Sequence, residues 1–300
     1  MTVDSIRERS KRTLDRARSN YETSPSLPNT VWYGRVLAFR YGIDDAIAVF
    51  SEGLQRYPDS FELLRQRGHR FLSARRFVEG RADLARAAEL IEGMPEWIEP
   101  DGEGNELPVP ATSIQFNTFY HLALAHYLLR EWDAAEATYR RCLGWVRPQD
   151  YDGLTACNDW LYMTLRRKGD VAAAADVLTG IPENLPDEAF VEGPSYYRRL
   201  RMYRGELQPE DLLNPEKGSQ EIHDRETLYA TQGYGVGNWY LYNHETGAAQ
   251  AVFEQILHCR IRFAFGYIAA ERDLREIAGA YDARARSMSF RASREAHQWP

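Results

Sequence analysis

The chain has 300 residues and a formal net charge of −7, so it lacks the broad basic surplus that non-specific nucleic-acid binding requires. Charged residues make up 27% and hydrophobic residues 44%, the balance of a folded globular protein and not of a disordered one. Cys142, Cys157 and Cys259 are odd in number and far apart, which argues against a disulfide framework or a zinc site and for reduced, buried thiols.

Residues 1–27 read as an N-terminal extension. Positions 4–19 have helix formers and mixed charge but few apolar residues, the pattern of a frayed, solvated helix. No apolar run follows the basic start, and nowhere do about 18 apolar residues stand together, so neither a secretory signal nor a spanning helix is expected. A cytoplasmic protein without membrane contact follows, unless a leader precedes this sequence. The stretch SPSLP at 24–28 breaks any helix and begins the folded body.

From there the chain repeats. Gly34 and Gly68 lie 34 residues apart, as do Ala46 and Gly80, Phe50 and Leu84, and Gly53 and Ala87. In the first unit a helix over 32–40 turns at Tyr41 and Gly42 and returns as DDAIAVFSEGL. The small-then-aromatic pair Ala46 and Phe50 lets two helices approach and fills the space one turn on. Asp59 or Ser60 caps the next helix, which carries Leu64, Gly68 and Phe71, and its partner runs over 77–91. An insertion at about 92–112, rich in Gly, Pro and acid but holding Trp97 and Ile98, is expected to fold back onto the groove or edge.

The third unit, FNTFYHLALAHYLLREWDAAEATYRRCL, has Phe119, Leu122 and Ala123 on its first helix and Ala135 and Tyr139 on its second. The fourth, NDWLYMTLRRKGDVAAAADVL, turns at 168–170. Residues 183–228 hold a degenerate unit: the linker PENLPDEAFVEGP, the helix SYYRRLRMYRGE and the short PEDLL. A sixth unit restores the spacing through Gly237, Tyr240, Ala249 and Phe253. A helix in FAFGYIAAERDLREI closes the array as a cap, and residues 281–300 trail into solvent.

A period of 34 residues with paired helices resembles the tetratricopeptide-repeat family, and the resemblance covers about residues 28–280. The phrases EPDG, WLYMTLRR, ATQGYGVGNWYLYN and FAFGYIAAE resemble a bacterial subfamily of these proteins. The resemblance implies an all-α fold, a right-handed α-solenoid of helix-turn-helix repeats. Its concave groove would be lined by first helices and would take peptides or proteins.

In that register the groove residues are Arg35 and Phe39; Arg65 and His69; Asn117, Tyr120, His121 and Tyr127; Asp159, Met163 and Arg166; and Tyr234, Asn238 and Tyr242. Arg can fork onto carboxylates, Asn can pair with main-chain amides, and Tyr offers flat area with a polar tip. Chaperone-binding members grip a C-terminal carboxylate with a Lys/Asn clamp. The corresponding positions here read Val31 with Arg35 and Arg65 with His69, so that clamp is not reproduced.

The expected function is a non-catalytic scaffold holding a peptide or protein segment, with acidic groups at the Arg65 end. The alternative is an enzyme or small-molecule binder whose groove is closed by the 92–112 loop, with His121, Asn117, Asp159 and Tyr234 as first suspects. No catalytic triad, metal set or cofactor motif is read. His121 and Asn117 lack a third group, and YGVGNWYLYN lacks a phosphate-loop pattern, its Gly235 and Gly237 suiting close helix packing instead. His126 reads as a satisfied structural histidine, and Arg198, Arg199 and Arg201 as a solvated helix face. The oligomeric state is left open.

Overall fold

The computed structural model describes the backbone over 3–39, 42–99, 112–213 and 222–295, and side chains over 11–39, 42–99, 112–213 and 225–280. Among the described residues the elements are helical, with a single isolated antiparallel bridge, Ile98 to Ser113. The chain divides into two compact units, Met1–Gly193 and Pro194–Pro300.

The first unit is a row of helical hairpins. They are α2 (Leu27–Phe39) with α3 (Ile43–Arg56), α4 (Phe61–Ser73) with α5 (Phe77–Leu90), α6 (Ile114–Leu129) with α7 (Trp132–Leu143), and α8 (Tyr151–Lys168) with α9 (Val171–Thr179). First helices adjoin one another along the row, α2 with α4, α4 with α6, and α6 with α8. Ahead of them, α1 (Val3–Thr23) packs on α2. The solvated helix expected over 4–19 therefore docks at its C-terminal end. Ala17 is buried, and Tyr21 stacks on Tyr33 at 5.2 Å.

The hairpin follows from three positions at fixed offsets. At Gly34 and Gly68 a small residue on the first helix faces the residue 16 further on, Phe50 and Leu84, and the buried Ala123 and Tyr139 keep the same spacing. A Cβ built on Gly34 would lie 2.3 Å from the Phe50 ring, so the helices approach as closely as a missing side chain permits. Seven residues after the small position the chain enters the left-handed region, at Arg75 (φ 63°) and Arg130 (φ 66°). That reversal ends the first helix and aims the second back along it. Ser60 and Ser113 start α4 and α6 by accepting the amides of Leu63 (3.2 Å) and Phe116 (3.1 Å).

The second unit contains α10 (Ser195–Tyr203), the short α11 (Pro209–Leu212), α12 (Ile222–Tyr242), α13 (Thr246–Leu257) and α14 (Phe265–Glu295). The same offsets recur: a Cβ on Gly237 would meet Phe253 at 2.4 Å, and His244 has φ 68°. Gly235 makes room for Arg199, whose Nε would be 2.2 Å from a Cβ there. Arg199 is fully buried and donates to the Thr231 carbonyl (3.0 Å), so it leaves the solvated face assigned to it. That bond gives one nitrogen of the buried guanidinium a backbone acceptor. The backbone of 281–295 continues α14, while 296–300 lie outside the described residues.

Candidate functional site

The site lies in the first unit, on the face shared by α2, α4 and α6. Residues three or four apart on α4 share a face, which sets Arg65, Gln66, His69 and Arg70 along one side of that helix. Asn117 and His121 are similarly one turn apart on α6. Because α4 and α6 adjoin, the two sets meet, and the rings of His69 and His121 stack with centroids 4.1 Å apart.

The described ends of the insertion return to this face. Ile98 bridges Ser113, the Glu99 amide donates to the Thr112 carbonyl (3.1 Å), and the Ile114 amide donates to the Trp97 carbonyl (2.8 Å). Buried Gln115 fixes the entry, accepting the Trp97 amide (3.1 Å) and donating to the Pro95 carbonyl (2.8 Å). The Trp97 and Phe61 rings meet edge to face with centroids 5.5 Å apart. Residues 100–111, the middle of the insertion, lie outside the described residues.

This framework delivers one carboxylate. Glu99 Oε1 accepts from Gln66 Nε2 (2.6 Å), and Glu99 Oε2 accepts from Asn117 Nδ2 (2.8 Å) and lies 3.1 Å from Arg65 Nη2. Three donors from two helices thus converge on a single acid. The Arg65 side chain is 9% exposed and that of Glu99 12%, so the pair is largely withdrawn from water and less screened than a surface pair.

The surroundings are cationic. Arg70 donates to His69 Nδ1 (2.7 Å), and no carboxylate among the described residues pairs with it. Neither Arg65 Nε nor Arg70 Nε has a hydrogen-bond partner among them. Burial, followed by the charges of Arg65 and Arg35, pushes Arg70 down to about 9, which leaves it charged at neutral pH. Burial also lowers Arg65, against the pull of Glu99 and with the push of Arg35. The histidines respond by staying neutral. Burial and then Arg70 hold His69 well below its ordinary value, and burial with Arg65 brings His121 to about 3. His121 Nδ1 lies 2.6 Å from the Asn117 carbonyl, which assigns the ring proton to that nitrogen.

The sequence-derived groove divides in two. Arg35 is half-buried with its guanidinium 5.9 Å from the Trp32 ring, and Phe39 is exposed. With Arg65, His69, Asn117 and His121 they belong to α2, α4 and α6. Tyr127, Asp159 and Met163 are fully buried and line no open groove, because their positions turn into the packing between helices. Tyr120 is buried against Phe116 and Tyr139. Arg166 is half-buried and donates to Tyr162 Oη (3.2 Å). In the second unit Tyr234 and Asn238 are fully buried, Tyr234 donating to Asp273 (2.9 Å), and Tyr242 is half-buried. His126 pairs with Glu131 at 2.6 Å across the turn into α7.

Gln66, Arg70 and Glu99 are the members that sequence periodicity misses. Gln66 and Arg70 each neighbour a residue it does select, while Glu99 sits where no period applies. Among the described residues no group of three His, Cys, Asp or Glu could hold a metal, and no helix is long and apolar enough to cross a membrane.

No family model and no curated protein matches the sequence. Among solved structures the chain is similar to a tetratricopeptide repeat protein from Parabacteroides merdae ATCC 43184, with TM-score 0.49 and 12% identity over 89% of this chain and 98% of that one. It is also similar to YrrB, described as a TPR protein with an unusual peptide-binding site (TM-score 0.43, 10% identity, 85% and 97% covered). A third is MamA AMB-1 (TM-score 0.43, 14% identity, 58% and 88% covered).

Proposed function

We propose that the chain is a non-catalytic binding scaffold that holds a peptide or protein segment on the α2–α4–α6 face, with an acidic group at the Arg65 end. The observation that supports this reading is the convergence of Arg65, Gln66 and Asn117 on one carboxylate, beside the further charge of Arg70. Such donors fit an acidic side chain or a C-terminal carboxylate, and charge-assisted hydrogen bonds supply both energy and orientation.

The same convergence favours, as a second reading, a small carboxylate-bearing molecule. The geometry gives the enzyme form of that reading less support. His121, brought to about 3 with its Nδ1 committed to a carbonyl, is a poor base near neutrality. Asp159 and Tyr234 are fully buried.

The test is calorimetric titration with a synthetic peptide of alternating glycine and glutamate, against its glutamine counterpart. The glutamate peptide should bind more tightly, lose affinity between about 50 and about 300 mM salt, and weaken about tenfold or more with Arg65→Met. Equal affinity for both peptides, or no effect of Arg65→Met, would overturn the reading.

A further inference from the structure

We infer that Glu99 is an exchangeable internal occupant of this carboxylate site, so that the chain's own side chain competes with the acidic group of a partner. The inference deepens the scaffold reading and rests on it. The donors Arg65, Gln66 and Asn117 belong to the repeat helices, whereas the acid they hold comes from the inserted segment. Receptor and ligand groups are thus separate parts of the chain.

Glu99 can leave without its backbone. The neighbouring main chain is held independently by the Ile98–Ser113 bridge, the Trp97 and Glu99 backbone bonds, Gln115 and the Trp97–Phe61 contact. Releasing the carboxylate needs only rotation about the Glu99 side-chain torsions, and a carboxylate in trans can then take the same donors. Desolvation offsets most of the attraction in a buried ion pair, so replacing one carboxylate by another is close to an even exchange. The vacated site would still draw an acid, since the Nε atoms of both Arg65 and Arg70 have no acceptor among the described residues. A tethered competitor acts at a high effective concentration, which makes its removal visible in the affinity of a free ligand.

Two variants and two probes test this. Glu99→Ala deletes the atoms that acetate can restore, and Glu99→Gln keeps the volume should the alanine variant fail to fold. The glutamate–glycine peptide should bind both variants about tenfold or more tightly than the parent chain. Acetate should raise the melting temperature of Glu99→Ala more than that of the parent, with chloride at equal ionic strength as the control. Adding Arg65→Met to Glu99→Ala should abolish both gains. Unchanged peptide affinity in both Glu99 variants, with Arg65-dependent binding by the parent, would overturn the exchange and leave the scaffold reading standing. Acetate rescue without peptide binding by any form would overturn the scaffold reading and keep an exchangeable carboxylate site. Absence of both signals would overturn both.

Discussion

The imidazoles of His69 and His121 stack across α4 and α6 with centroids 4.1 Å apart and ring planes 29° from parallel, beside the buried charges of Arg65 and Arg70. Two neutral rings can share that space; two imidazolium ions beside two guanidinium ions cannot do so without a large electrostatic cost.

A pH dependence follows directly. His121 is brought from 6.5 to about 3 on folding, so between those values the unfolded chain binds a proton that the folded chain refuses. The His121 contribution to stability is therefore present above pH 6.5 and is lost as pH drops toward 3, by about 2 kcal/mol at pH 5. His69 acts in the same direction. Urea midpoints at pH 7 and pH 5 check this, and His121→Gln should flatten the difference. An unchanged difference in that variant would remove His121 as its source.

The Arg65–Glu99 pair should behave as a coupled buried pair. Arg65→Met strands the Glu99 carboxylate with neutral donors only and should cost about 3 kcal/mol. Glu99→Gln alone leaves an unpaired guanidinium. The double variant should be destabilised by less than the sum of the two, with a coupling of about 2 kcal/mol in a chemical-denaturation cycle. Strict additivity would show that the pair contributes nothing as a pair.

Alanine at a hairpin contact tests the repeat geometry. Gly34→Ala and Gly237→Ala place a Cβ 2.3 Å and 2.4 Å from phenylalanine ring atoms and should each cost about 1–3 kcal/mol. Gly247→Ala meets nothing within 4 Å and should be neutral or stabilising by up to about 1 kcal/mol. Thermal melts of the three variants settle the order. A neutral Gly34→Ala would mean that α2 and α3 can separate without loss.

Much of the hairpin architecture is legible because the small positions are spaced by a constant period, and a missing side chain has one main use in packed helices, close approach. The 34-residue spacing of Gly34 and Gly68, and of Phe50 and Leu84, is readable before any coordinate is known, while the structure shows that Gly34 meets Phe50 and Gly237 meets Phe253. Groove membership is less legible, since a register error of one residue turns a side chain about 100° around its helix. The structure brings Arg65, His69, Asn117 and His121 together where α4 meets α6, whereas Met163 and Asn238 fall inside the packing.

The amino-acid sequence by itself determined the helical hairpins, their turns and the row of first helices, because those depend on contacts between residues at short, regular separations. Only the tertiary structure decided that Glu99 meets Arg65, Gln66 and Asn117. That carboxylate is 33 residues beyond Gln66 and 18 before Asn117, in a segment without periodicity. It is carried to the site by the Ile98–Ser113 bridge and by Gln115, whose backbone and side-chain bonds leave no mark in hydrophobic spacing.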